Sequence, residues 1–389
     1  MDPMSNSDIL GLLRDGRPRT KSEIAELTGR VRSTVSLRLA ELIASGLVVE
    51  LGADGAGRGR PSARYALATQ SRVIGAVEVG ARHALVALTD LAGRVVAKTR
   101  LQLDVRHGPG PVLDRVVQEL TDLLTSTGRE HDAVVGVGIG VPGPVDPDRG
   151  TLSKPPLMPG WDGYDIATHL QATFPGPVVV DNDVNVFAVG EWVAAWPDEN
   201  DLLAVKVATG IGAGVVAAGR LVKGAQGAGG DIGHVQVPEA AGRLCACGQL
   251  GCLEAWAAGP GIARTLTEAG HDGPQEAADV VALVHRGDPA AMQATRDAGR
   301  AIGSVLSVLV SALNPSVIVL GGELADAGEP LLAGVREVIY ARVQPLASKV
   351  LRILVSSDPD ANTITGAARL VQNHLFGLPE RPVVYYDAR

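Results

Sequence analysis

Cysteine, aromatic residues, long apolar runs and a surplus of positive charge are all scarce in this chain, and each scarcity excludes something. Three cysteines in 389 residues make no disulfide framework, and an odd count without an export signal points to reduced thiols in a cytosol. Hydrophobic residues make up 46% of the chain, yet no uninterrupted apolar run approaches the ~18 to 20 residues that a membrane span requires. The opening Met1-Asp2-Pro3-Met4-Ser5-Asn6 lacks a basic stretch followed by an apolar one, so no signal peptide is expected. The expectation is a soluble cytoplasmic protein with no membrane partner. Its net charge of −8 argues, taken whole, against nucleic acid. Phe, Tyr and Trp together make up 3%, which singles out Trp161; a packed core aromatic is the favoured reading, with sugar stacking on its indole as the alternative.

The charge is unevenly placed. Residues 1–70 hold ten Lys/Arg against eight Asp/Glu, a local excess of positive charge inside an acidic chain. Ser7 to Arg14 read as a first helix. Thr20 with Glu23 forms a capping box ahead of Ile24, Ala25 and Leu27. Gly29 permits a turn, and Arg32 or Ser33 starts a helix that places Val35, Leu39, Leu42 and Ile43 on one face. Two strands, residues 46–51 and 63–67, flank a Gly-rich loop carrying Arg58 and Arg60. Helix, turn, helix and hairpin predict a winged helix-turn-helix. Its second helix offers Arg32, Ser33, Thr34, Ser36 and Arg38 to base edges and phosphates. Arg58 and Arg60 suit a minor groove. The competing reading is a helical oligomerisation arm with solvated arginines.

From residue 71 the pattern becomes α/β. Apolar runs at 73–79, 84–89 and 95–103, an amphipathic helix near 111–125 and a buried strand at 133–139 give β-β-β-α-β. A weaker copy follows at 203–207, 214–218, 235–237, a long helix at 290–313 and a strand at 317–320. Two similar lobes around a ligand cleft are expected. The division is 1–70, then 71–181 completed by a C-terminal helix at about 364–377, then 182–363.

All three cysteines lie within eight positions of one another, and His234 precedes them. Cys245, Cys247 and Cys252 with His234 have the softness and number of donors that tetrahedral zinc takes. Four protein ligands leave no open position, so one structural zinc per chain is expected. Simple packing of three small side chains, or a disulfide from Cys245 or Cys247 to Cys252, are the alternatives. Asn182 and Asp183 follow the apolar strand at 178–180, and strand C-termini in α/β folds face the ligand crevice.

The winged helix-turn-helix, Asp181-Asn182-Asp183-Val184-Asn185, Thr209-Gly210-Ile211-Gly212-Ala213-Gly214, Gly230-Asp231-Ile232-Gly233-His234 and Cys-x-Cys-Gly-x-x-Gly-Cys-x-Glu together resemble the ROK family, specifically its transcriptional repressors. The resemblance implies the actin-like sugar kinase ATPase fold. It makes Asp183 the counterpart of the kinases' general base. It also implies a sugar site of Asn182, Asp183, Asp231, His234 and Glu254, with His234 using one ring nitrogen for the metal and the other for the sugar. Asp231 stands where the family usually has Glu, which withdraws the carboxylate by roughly 1.5 Å. The kinases' Asp-x-Gly-Gly-Thr phosphate loop is replaced by Glu78-Val79-Gly80-Ala81-Arg82-His83, with Arg82 and His83 expected in the space of the phosphates, so ATP turnover is not expected. The implied function is a repressor, as a homodimer or homotetramer on palindromic operator DNA, answering to a monosaccharide or sugar phosphate. An ATP-dependent sugar kinase with a DNA-binding appendage is the alternative.

Overall fold

The computed structural model describes residues 6–52, 62–156, 158–271 and 273–377. The first segment is three helices and a small sheet. They are α1 (Asn6–Leu13), β1 (Arg19–Thr20), α2 (Lys21–Thr28), α3 (Arg32–Ala44), β2 (Val48–Leu51) and β3 (Arg64–Leu67). The strand order is β1-β3-β2, antiparallel throughout. The capping box forms: Glu23 N donates to Thr20 Oγ1 at 3.2 Å and Thr20 N donates to the Glu23 carboxylate at 2.6 Å. Gly29 closes α2 at φ 65°, a left-handed conformation that costs glycine nothing.

Two five-stranded sheets follow. The first half runs β4 (Val73–Val79), β5 (His83–Asp90), β6 (Val95–Gln102), α4 (Pro109–Ser126), β7 (Val134–Val141), α5 (Ile166–Gln171), β8 (Val178–Asn182) and α6 (Asp183–Ala194). The second half runs β9 (Leu202–Val207), β10 (Ile211–Ala217), β11 (Arg220–Leu221), α7 (Leu253–Ala257), α8 (Gly259–Glu268), α9 (Ala277–His285), α10 (Pro289–Leu313), β12 (Val317–Gly321), α11 (Glu329–Arg342), α12 (Pro345–Ser348), β13 (Arg352–Val355) and α13 (Pro359–Phe376). The sheet orders, β6-β5-β4-β7-β8 and β11-β10-β9-β12-β13, are the same order twice. In each, the first three strands form an antiparallel meander and the fourth and fifth add in parallel. β4 is buried along its whole length and β12 likewise, which is why both read as continuous apolar runs rather than alternating ones. The strand expected at 235–237 is not there. Val237 N donates to Gly251 O and Leu253 N donates to Val235 O, so that backbone pairs with the cysteine loop, and the two-residue β11 is the third strand of the sheet.

The last helix of each half packs on the other half's sheet: α6 lies on β9 and β10, α13 on β4 and β7. The two helices cross at glycines. A Cβ on Gly190 would lie 1.7 Å from Asn362 O, and one on Gly366 would lie 1.9 Å from Val186 O. The N-terminal segment is not a separate bead. Ile9, Leu10 and Leu13 of α1 share one apolar core with Ile74 and Ala76 of β4 and with Ala367, Val371 and Phe376 of α13. Trp161 is fully buried in the core under the first sheet, and its indole N–H donates to Val105 O at 3.0 Å. It is a packed aromatic; the sugar-stacking alternative fails on burial.

Candidate functional site

The cysteine loop folds by local rules. Cys245 N donates to Gln249 O at 2.8 Å and Gly248 N donates back to Cys245 O at 2.9 Å, a tight hairpin that Gly248 makes possible at φ 88°. Short bridges, Leu244 to Leu250 and Gln236 to Cys252, hold the loop's base. The result gathers His234, Cys245, Cys247 and Cys252 with their ligand atoms all within 4.8 Å of one another. Cys247 Sγ and Cys252 Sγ are 3.8 Å apart, and Cys245 Sγ is 3.6 Å from His234 Nδ1. A tetrahedral zinc with Zn–S of about 2.3 Å and Zn–N of about 2.05 Å has S···S edges of about 3.8 Å and S···N edges of about 3.6 Å. The donor set and its spacing therefore suit a closed tetrahedral metal site. The three sulfurs are free thiols rather than a disulfide. With no metal, burial pushes the Cys245 thiol up to about 12.

Asp231 and His234 flank a short turn before the cysteine loop, and Glu254, in the first turn of α7, follows it. His234 Nε2, the nitrogen turned away from the cysteines, is 4.0 Å from Asp231 Oδ1, and Asp231 is exposed. Glu254 Oε2 accepts from Ile211 N at 3.1 Å. A Cβ on Gly210 would lie 2.7 Å from that oxygen, so glycine is what admits the carboxylate. Burial raises the Glu254 pKa, only partly opposed by His234. Thr209 and Gly210 lie in the turn between β9 and β10, and Gly212 and Gly214 lie in β10 beneath α6, where added Cβ atoms would meet Val184 and Ala188.

Asn182 and Asp183 sit at the other end of that contact, where β8 becomes α6. Asn182 caps the helix: Val184 N and Asn185 N donate to its Oδ1 at 2.9 and 3.3 Å, and its Nδ2 donates to Gly143 O at 2.9 Å. Asp183 is the first helical residue and is buried. Its partner is one that motif reading did not find. Lys206 of β9 donates from Nζ to Asp183 Oδ2 and to Glu78 Oε1, both at 2.6 Å. Glu78 Oε2 in turn meets His83 Nε2 at 3.1 Å. Burial opposes ionising Glu78, but Lys206 and His83 outweigh it and hold the carboxyl well below the usual range. Burial likewise opposes the Lys206 ammonium, and Asp183 and Glu78 together keep it above the usual lysine range. Asp183 moves upward, through burial and the neighbouring Glu78, against the pull of Lys206. Arg82 does not fold into the cleft with His83; it pairs with Glu276, at the start of α9, at 2.7 Å. Lys223 pairs with Asp181 at 2.7 Å.

On the first segment, Arg32 and Ser33 are exposed, Thr34 and Ser36 half-buried. Arg38 is held to Glu41 at 2.9 Å. The α3 surface carries Val31 and Leu37, 67% and 60% exposed, which a search for basic and hydroxylic residues passed over. Arg58 and Arg60 lie outside the described residues.

Comparison with known proteins decides the family: the profile described as "ROK family" matches residues 74–374. The chain belongs to the ROK family. It is 27% identical over 385 residues to a putative xylose repressor of Caldicellulosiruptor sp. (strain Rt8B.4), covering 96% of each chain. It is 30% identical over 283 residues to a glucokinase of Halalkalibacterium halodurans, covering 69% of this chain and 86% of that one. Among solved structures, a ROK family transcriptional regulator described as a homolog of E. coli MLC superposes with a TM-score of 0.77 at 22% identity, covering 95% of this chain and 98% of that one. The repressor and regulator matches take in the winged segment; the glucokinase match is shorter. Among the described residues no helix is long and apolar enough to cross a membrane.

Proposed function

We propose that this ROK protein is a sugar-responsive transcriptional repressor. The winged helix-turn-helix of residues 1–70 grips operator DNA through Arg32, Ser33, Thr34, Ser36 and Arg38, with Arg58 and Arg60 at the wing, and two copies match a palindromic site. The observation that carries the reading is the contact of α1 of the DNA head with α13 of the kinase-like body, inside one apolar core that also takes in β4. A head built into the body is placed to respond to it. Asp183 starts α6, α6 crosses α13 at Gly190 and Gly366, and α13 reaches α1. A sugar that moves the lobes moves that train of packed helices.

Sugar hydroxyls are taken by Asp183, Asn182, Asp231, Glu254 and the outward nitrogen of His234. Zinc on His234 Nδ1, Cys245, Cys247 and Cys252 supplies rigidity rather than chemistry. The loop's residues then do the work: the ligated ring is fixed in one orientation, and Glu254, two residues after Cys252, is held at its post. Phosphoryl transfer is not part of this function. Lys206 ties Glu78 and Asp183 together, so the would-be metal-binding carboxylate is engaged by an ammonium, and Asp183, paired with the same ammonium, accepts a hydroxyl hydrogen bond rather than removing its proton. The test is a sugar panel titrated against the protein on operator DNA by fluorescence anisotropy, beside a coupled ATP assay. One sugar that changes operator affinity, with no ATP consumed, supports the reading. Sugar-dependent ATP consumption at ordinary kinase rates contradicts it and favours the glucokinase alternative.

A further inference from the structure

We infer that the cleft takes an uncharged monosaccharide and rejects the phosphate ester of the same sugar. The inference rests on the sugar-site reading of Asp183 and narrows the ligand class. A bound phosphate needs unspent cations or a helix N-terminus with free N–H groups. Among the described residues, each cation at this corner of the cleft is already paired. Lys206 is one ammonium shared by two buried carboxylates, Glu78 and Asp183, at 2.6 Å each. Lys223 is consumed by Asp181 at 2.7 Å, and Arg82 by Glu276 at 2.7 Å. The His83 ring turns its Nε2 to Glu78.

At the helix terminus two of the N–H groups are taken in the same way. α6 begins at Asp183, and its start is where a phosphate would seek backbone N–H groups. Asn182 Oδ1 already accepts from Val184 N and Asn185 N, and Asp183 Oδ1 accepts from Val184 N at 3.0 Å. The chain's own amide and carboxylate take the place of an external anion. An incoming phosphate dianion meets carboxylates at short range where Lys206, Lys223 and Arg82 are already paired, in a region where burial weakens solvent screening. A neutral hydroxyl pays none of that repulsion.

The experiment is isothermal calorimetry on the full-length metal-loaded protein with glucose, xylose and N-acetylglucosamine, each beside its phosphate ester. The expected result is that a neutral sugar binds and its ester binds at least about 100-fold more weakly. An ester that binds as tightly as its parent, or more tightly, overturns the inference and leaves the sugar-site reading intact. Absence of binding by every sugar and every ester removes the sugar-site reading itself, and this inference with it. Glu78→Gln tests the cause, because it removes one negative charge and releases half of the Lys206 ammonium. It should narrow the gap between parent and ester by about 10-fold or more, and an unchanged gap in the folded variant overturns the electrostatic explanation.

Discussion

Gly366→Ala is the sharpest structural perturbation available, because the cost can be worked from the contact it creates. The new methyl carbon would stand 1.9 Å from Val186 O and 2.9 Å from Gly190 N, against the ~3.4 Å at which carbon meets such atoms comfortably. Backbone on both sides means that no side chain can rotate away. The helices α6 and α13 must separate by more than an ångström or α13 must bend, and overpacking of this kind costs about 1 to 3 kcal/mol or more. That is a large share of the roughly 5 to 15 kcal/mol that a folded protein has in hand. Gly110→Ala is the matched control. It is the same chemical change on α4, with nothing within 4 Å of the added carbon apart from its chain neighbours, so its cost is limited to local crowding against Pro111 and should fall well below that of the backbone clash at Gly366. Urea unfolding followed by far-UV circular dichroism reads both. Gly366→Ala should unfold at clearly lower urea and Gly110→Ala should not; equal midpoints would refute the close crossing of α6 and α13, and with it the route from cleft to DNA head.

The purified protein should carry close to one zinc per chain by metal analysis, and Cys247→Ala should lose the metal and the sugar response together; metal loss with an intact sugar response would uncouple the loop from the ligand. Because burial without metal holds the Cys245 thiol up at about 12 and only thiolates ligate, zinc uptake must expel protons. Affinity should therefore rise with pH and fall as acid restores the thiols, which competition against a zinc chelator at several pH values reads directly. Arg32→Ala should weaken operator binding by about 1 to 3 kcal/mol where the guanidinium reads a base; an unchanged gel shift would remove α3 from the DNA interface.

The parts of this architecture that sequence revealed are those with local or periodic causes. The buried strands β4 and β12 announce themselves as unbroken apolar runs, α2 by its Thr20 and Glu23 box, and the metal cluster by cysteines close enough in sequence to share one hairpin. Two-residue strands such as β1 and β11 carry no period to detect. Val235 to Val237 has strand composition, yet the cysteine loop captures its hydrogen bonds. Lys206 was invisible for a different reason. It interrupts an apolar strand as an ordinary alternation would, and its partners lie 128 and 23 residues away. Reading the Glu78 to His83 stretch alone put Arg82 and His83 into the phosphate space; folding sends Arg82 across the cleft to Glu276 and hands the central position to a lysine of the opposite sheet.

The central claim, a sugar site that controls a separate DNA head, is tested most directly by Asp183→Asn. The change keeps shape and replaces one acceptor oxygen with a donor, while Lys206 retains Glu78 as its partner. A buried hydroxyl left without its acceptor costs about 1 to 3 kcal/mol, a loss of roughly 5- to 150-fold in sugar affinity. Wild type and variant are titrated with sugar by calorimetry and with operator by fluorescence anisotropy. Sugar affinity should fall within that range while operator affinity without sugar stays at the wild-type value. Undiminished sugar affinity would place the ligand elsewhere, and an operator affinity that falls in step with the sugar affinity would make Asp183 a support of the fold instead of a ligand of the sugar.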